Sequence, residues 1–275
     1  MKSDGAKISI VVPVKNGRKT LGECLQALAL QTYKNYEIIL VDNNSSDSTK
    51  SIILRFQQKY PNIKYFFEKK PGIGQARNTG EKQAQGEIIL MTDADCFAPM
   101  YWAEKMAKPI LNKKAIAAQG AFKKPQNANY WQEHFYAERN RIMEQNTKNQ
   151  KIDVLYSGNF AIKKSVLEEI EYSSQKMKTC NDVELMSRLK KNNYDVFFEP
   201  IEVLHAEPDN FLKVFKKTFI GGFWSHGLIE KNDNAEFFKN IWREYRTKHI
   251  DFKYNLTTGL AWRLGRILAK LAFFS

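Results

Sequence analysis

Apolar runs alternate with helical periodicities along the first hundred residues. Ile8-Ser9-Ile10-Val11-Val12-Pro13-Val14 is rich in β-branched residues and ends at the turn Lys15-Asn16-Gly17, after which Leu21, Leu25, Leu28 and Ala29 recur at helical spacing. Glu37-Ile38-Ile39-Leu40-Val41 runs into Asp42 and the polar stretch Asn43 to Thr49, and helical periodicity resumes at Ile52, Ile53 and Phe56. A weaker strand, Ile63 to Phe67, leads through Pro71-Gly72-Ile73-Gly74 to a helix that carries Arg77 one turn in. The fourth run, Ile88-Ile89-Leu90-Met91, stops abruptly at Thr92-Asp93-Ala94-Asp95. Unbroken apolar runs of this length read as strands buried on both faces, as in a parallel sheet covered by helices. The predicted class is therefore a doubly wound α/β layer with right-handed crossovers.

In such sheets ligands bind outside the carboxyl ends of the strands, where three polar loops converge here. Asp42 and the acceptor-rich loop behind it suit a base edge or a ribose. Arg77 can meet a phosphate bidentately, and Gly72 and Gly74 allow close backbone approach. Asp93 and Asp95 are hard oxygen donors on one loop, suited to Mg²⁺ or Mn²⁺ bridging to phosphates. Together they describe a nucleoside diphosphate. Gly72-Ile73-Gly74 is not a dinucleotide fingerprint, since the third glycine is missing and the loop does not follow the first strand.

Four ordered motifs carry a family resemblance: Val11-Val12-Pro13-Val14-Lys15-Asn16, Val41-Asp42-Asn43-Asn44-Ser45-Ser46-Asp47, Gly74-Gln75-Ala76-Arg77-Asn78-Thr79-Gly80 and Thr92-Asp93-Ala94-Asp95. They resemble the family 2 glycosyltransferases of GT-A fold. The likeness continues through Ser157-Gly158-Asn159, through Asn181-Asp182-Val183-Glu184, and through Pro200 to Val203-Leu204-His205, covering roughly residues 6 to 210. It implies a mixed, mostly parallel sheet flanked by helices. It also implies a donor, with UDP favoured over GDP, held by Pro13, Val14, Asn16, Asp42, Asn44, Arg77, Asn78, Asp93, Ala94 and Asp95. Gly158 and Asn159 would lie on the acceptor side, Asp95 and His205 would ligate Mn²⁺ or Mg²⁺, and Asp182 would be the catalytic base of an inverting transfer. One departure is Asn181, where the family more often has Glu, so the tuning of Asp182 would have to come from burial.

The implied organisation is a catalytic domain over 1–210, with a nucleotide-binding half (1–100) and an acceptor half (101–210), followed by a helical extension over 211–275. Cys24, Cys96 and Cys180 form no CxxC or paired framework and no signal peptide is visible, which suggests a reducing cytoplasm, with Cys96 a packing residue. The net charge of +13 asks for a partner. No nucleic-acid-binding motif is present, so an anionic membrane surface is the better reading. Phe211, Phe215, Phe219 and Phe223 recur beside Lys213, Lys216 and Lys217; Leu256 to Phe274 sets Leu260, Leu264, Ile267, Leu268 and Leu271 among Arg263, Arg266 and Lys270. Both carry too many charges to span a bilayer, so they would lie on the inner face of the cell membrane, or else pack on the catalytic domain or a second subunit in an oligomer. The ending Ala272-Phe273-Phe274-Ser275 would suit a longer hydrophobic tail. The acceptor would be a glycan or a lipid-linked glycan of bacterial surface polysaccharide or glycolipid synthesis. The alternatives are a non-catalytic basic module binding nucleotides or nucleic acid, disfavoured by Asp93, Asp95 and Asp182, and a sugar nucleotidyltransferase, which would want a glycine-rich loop after the first strand.

Overall fold

The computed structural model describes residues 6–175, 181–231 and 252–273; Cys180, Phe274 and Ser275 lie outside them. By its contacts the chain divides into two compact units, Met1–Lys123 with Thr147–His205, and Lys124–Asn146 with Ala206–Ser275.

The first unit is a mixed sheet. Its strands are β1 (Ile8–Val14), β2 (Tyr36–Asp42), β3 (Ile63–Phe67), β4 (Ile88–Met91), β5 (Cys96–Phe97), β6 (Ala117–Lys123), β7 (Thr147–Lys148), β8 (Lys151–Ile152), β9 (Phe160–Lys163) and β10 (Val196–His205), in the order β3-β2-β1-β4-β9-β6-β10-β8-β7, with β5 paired to β10. The first four are parallel, as the helical crossovers α1 (Leu21–Ala29), α2 (Thr49–Lys59) and α3 (Ile73–Gln83) require. Every residue of β1 is buried, which is why its sequence does not alternate. Ile8, Ile10, Val12 and Val14 belong to one apolar cluster with Leu21, Leu25 and Leu28 of α1 and with Trp102, Met106 and Ile110 of α4 (Trp102–Leu111). The mostly parallel, helix-flanked sheet expected from the sequence is the one observed.

Two pairings position the chemistry. β9 runs antiparallel to β4 with Phe160 opposite Met91, so the turn at Ser157–Asn159 arrives beside the carboxyl end of β4. β10 pairs antiparallel with β5, placing His205 opposite Cys96 and next to Asp95. The irregularity in β10 between Glu199 and Glu202 contains Pro200, which cannot donate to a ladder.

The second unit holds helices α5 (Tyr130–Gln145), α8 (Phe211–Lys231) and α9 (Phe252–Phe273); α6 (Lys164–Glu169) and α7 (Asn181–Lys191) belong to the first. A capping box opens α5, with Asn129 accepting from Trp131 and Gln132 amides. Arg139 and Glu207 form a buried ion pair. The rings of Phe211, Phe215 and Phe219 stack along α8 at centroid distances of 5.8 and 6.4 Å, and Phe211 meets Trp131 of α5 at 5.7 Å. The α8 aromatic stripe is therefore partly engaged inside this unit, while Phe211 stays 45% exposed. Among the described residues no helix is long and apolar enough to cross a membrane.

Candidate active site

The loops leaving β1 and β2 are fastened to each other by short polar bonds. Asp42, the last residue of β2, is buried, with one carboxylate oxygen accepting the Ser45 amide at 3.0 Å and the other the Tyr65 hydroxyl at 3.4 Å. Asn16 (φ 55°) and Asn44 (φ 58°) take the left-handed conformation that Asn tolerates in turns. Asn16 Oδ1 accepts the Ser46 backbone N–H at 2.9 Å, and the Asn16 backbone N–H donates to Ser45 Oγ at 2.8 Å. Pro13 and Val14 lie opposite Val41 and Asp42 in the parallel register and are buried beneath these loops. Pro13, Val14, Asn16, Asp42 and Asn44 are thus brought together at one sheet edge.

The third loop is set by a residue that sequence reasoning passed over. Asn43 donates to the carbonyls of Lys70 at 2.7 Å and Glu68 at 3.2 Å, and accepts the Gly72 amide at 2.8 Å. Gly72 has φ 136°, a conformation that glycine adopts at little cost, and α3 starts from it. The sequence aims Arg77 at a phosphate; the structure turns it inward. Its side chain is 5% exposed, Nη1 donates to Asp182 Oδ1 at 2.9 Å, and Nη2 donates to Asp93 Oδ1 at 3.0 Å. Burial opposes the guanidinium's charge, but Asp182 and Asp93 outweigh it and hold its pKa above the ordinary value. Its terminal nitrogens are engaged with carboxylates from two segments, so Arg77 ties β4's loop to the start of α7.

Asp182 stands in the first turn of α7, as the acidic helix start suggests. Ser157 clamps it from the other side: Oγ donates to Oδ1 at 2.6 Å and the backbone N–H to Oδ2 at 3.2 Å. The surroundings of Asp182 are therefore hydrogen bonds and a cation rather than burial, since 27% of its side chain remains exposed. Ser157 is the second residue missed in the sequence; its one signal there is its place beside Gly158-Asn159.

Asp95 and His205 meet as the strand pairing dictates, with Nε2 3.6 Å from Oδ1. Ligand atoms of Asp93, Asp95, Cys96 and His205 all lie within 4.8 Å of one another. Burial, then the Asp93 and Asp95 carboxylates, push the Cys96 thiol well up, which disfavours the thiolate that metals bind. What remains is two carboxylates and an imidazole, a donor set that fits a hard divalent cation. The cluster is a candidate metal-binding site.

Two expected contact residues are internal instead. Asn159 is fully buried: its carbonyl accepts Trp102 Nε1–H at 2.8 Å, and its amide donates to the carbonyls of Ala121 at 2.6 Å and Ile201 at 2.9 Å. It pins β6 to β10, with both amide N–H groups and the side-chain oxygen engaged inside the fold. Asn78 donates to the Ser173 carbonyl at 2.9 Å and accepts from Gln175 at 2.8 Å, so it holds the 173–175 segment. Gly158 does line the site, because a Cβ there would come within 3.4 Å of Asp93 Oδ2 and 3.2 Å of Cys96 Sγ. Ala94, between the two carboxylates, packs on the apolar cluster.

Solved structures share this fold. The mannosyltransferase PcManGT from Pyrobaculum calidifontis, in complex with GDP-Man and Mn²⁺, superposes with a TM-score of 0.68 over 98% of this chain and 80% of that one, at 18% identity. S. aureus TarS 1–349, in complex with UDP-GlcNAc, gives a TM-score of 0.60 over 93% and 79%, at 19% identity. The fold is that of the GT-A glycosyltransferases. Residues 9–171, more than half of the chain, match the family described as glycosyl transferase family 2, and the chain belongs to that family. A relative, glycosyltransferase AglE of Haloferax volcanii, is 28% identical over 218 residues, covering 77% of this chain and 70% of AglE. Several other glycosyltransferase relatives are matched over well under half of their own length.

Proposed function

We propose that this protein is a metal-dependent, inverting glycosyltransferase that moves a sugar from a nucleoside diphosphate donor to a glycan or lipid-linked acceptor. The observation that carries the reading is Arg77 joined to Asp93 and Asp182 at 3.0 and 2.9 Å, because it draws the candidate base and the candidate donor-binding carboxylate to one point. Asp42 and the loop bearing Asn16 and Asn44 would receive the base and ribose; Asp95 and His205, with Asp93 beside them, would hold Mn²⁺ or Mg²⁺. A bound divalent ion would neutralise the diphosphate as it departs. Asp182, clamped by Ser157, would take the proton of the acceptor hydroxyl as its oxygen attacks the anomeric carbon in line. One carboxylate base and no covalent nucleophile makes the stereochemistry inverting. UDP is favoured over GDP as the donor nucleotide, and PcManGT with GDP-Man and TarS with UDP-GlcNAc bracket the two choices. The 1–100 half would serve the donor, and Gly158 with the 101–210 half the acceptor. Work at the cytoplasmic face of a membrane agrees with the +13 charge.

Thermal-shift screening of UDP-, GDP- and dTDP-sugars with and without Mn²⁺ identifies the donor. Nuclear magnetic resonance of the product then gives the anomeric configuration. Retention of configuration, or binding of every donor regardless of metal, would sink the proposal.

A further inference from the structure

Helix α9 is amphipathic the wrong way round for a helix in water. Among its residues whose burial is described, Tyr254, Thr257, Ala261, Gly265 and Ala269, mostly small, are buried, while Leu256, Leu260, Leu264, Ile267 and Leu268 stand between 39% and 59% exposed. The cause is close helix packing. A Cβ at Gly265 would lie 2.2 Å from the Phe219 carbonyl oxygen, and one at Gly222 would lie 2.3 Å from that of Trp262, so the backbones of α8 and α9 touch where neither can carry a side chain. This contact fixes the rotation of α9 about its axis. The five large aliphatics are left pointing outward.

At 3.6 residues per turn these five cover an arc of about 120°; Arg263, Lys270 and Arg266 follow one another along one side of it, and Lys253 falls within it at the N-terminal end of the helix. Between Phe252 and Phe273 the sequence has four cations, Lys253, Arg263, Arg266 and Lys270, and no carboxylate. An apolar band bordered by positive charge, on a helix that cannot span, matches the boundary between anionic headgroups and acyl chains. Small residues on the helix-contact side are also how helices pack when their other face meets lipid.

We infer that the Leu256–Leu260–Leu264–Ile267–Leu268 face of α9 is a docking surface for an anionic lipid bilayer, with α9 lying in the plane of the interface. The inference deepens the membrane-surface part of the proposed function and rests on it. The inference does not use the α8 aromatic stripe, where Phe211, Phe215 and Phe219 stack on one another and Phe211 meets Trp131.

Co-sedimentation of the full chain with phosphatidylcholine vesicles and with vesicles containing phosphatidylglycerol tests it. Each cation near an anionic surface strengthens binding roughly five-fold, so the anionic vesicles should bind at least ten-fold more tightly. Raising salt to 0.5 M, where screening is short-ranged, should remove most of the difference. The double variant Leu260→Gln/Ile267→Gln should lose binding to both vesicles, and Arg263→Gln/Lys270→Gln should lose most of the preference for anionic lipid while keeping its binding to phosphatidylcholine. All four side chains are exposed, so melting temperatures should stay near wild type. Equal, negligible sedimentation of the wild type with both vesicles would overturn the inference. So would a dimer in light scattering that Leu260→Gln/Ile267→Gln splits, which would assign the face to a second copy. Nucleotide-sugar binding measured on the same samples should not change in either variant, so failure at the membrane and failure of the transferase reading are separable.

Discussion

Replacing Arg77 by Met keeps most of the side-chain volume and deletes a cation that Asp93 and Asp182 share. Losing one partner of a buried ion pair costs about 3–5 kcal/mol, because the remaining charge is stranded. Here two carboxylates are stranded, but their side chains are 26% and 27% exposed and water screens them, so about 2–3 kcal/mol is expected. In a unit of this size that lowers Tm by roughly 5–10 °C. Arg77→Lys should recover much of the stability, since the charge returns, but one ammonium cannot reproduce the fork that reaches both Asp182 and Asp93. Its kcat should therefore stay at least about ten-fold down, because misplacing the base by an ångström is enough for that. Differential scanning calorimetry with sugar-transfer kinetics reads both effects. The double variant Arg77→Met/Asp182→Asn should recover about 1 kcal/mol, because the second change removes one of the stranded charges. If Arg77→Met melts with the wild type and the double variant shows no coupling, the guanidinium is no more than a replaceable filler and the bracket argument fails.

Asp182→Asn retains the shape of the side chain but removes the proton acceptor; transfer should fall roughly 100-fold or more with donor binding near wild type, and normal transfer would exclude Asp182 from the chemistry. Mn²⁺ alone should bind weakly and each of Mn²⁺ and UDP should tighten the other by the same factor, an enhancement that Asp95→Asn or His205→Ala abolishes; calorimetry giving equal nucleotide affinity with Mn²⁺ and with chelator would refute the metal assignment. In the helical unit, burial raises the Glu138 carboxyl from 4.5 to about 7, against the opposing hydrogen bond from Tyr254 and the charge of Arg141. The folded chain then keeps a proton that the unfolded chain releases between pH 4.5 and 7, so stability should fall across that window and the full cost, about 3 kcal/mol, should be present above it. Glu138→Gln should flatten that slope in chemical denaturation followed against pH, and an unchanged slope would contradict the cause.

The strands of the parallel half were legible because a strand buried on both faces is apolar at most positions, and a run such as Ile88 to Met91 leaves little else to do. Asp42, Asp93 and Asp95 were legible for the complementary reason, since polar residues that end such runs fall where open sheets bind ligands. The direction of a side chain was not. Arg77 reads as a phosphate ligand from its place one turn into a helix, yet it points at Asp182, 105 residues away in the chain, and only the packing of α7 against this loop decides that. Asn159 looks like a site residue next to Gly158, but the antiparallel insertion of β9 between β4 and β6 buries it among carbonyls it must satisfy. Ser157 and Asn43 stood inside the sequence motifs without a legible role, because a clamp acquires meaning from what it holds. The two C-terminal stripes read alike along the chain; backbone contact at Gly222 and Gly265 separates them, turning the α9 aliphatics outward while the α8 rings stack within the helical unit. Periodicity is a local property of the chain and can be read residue by residue. Which face of a helix is buried, and which hydrogen bonds a buried amide must make, are set by neighbours that only the folded chain supplies.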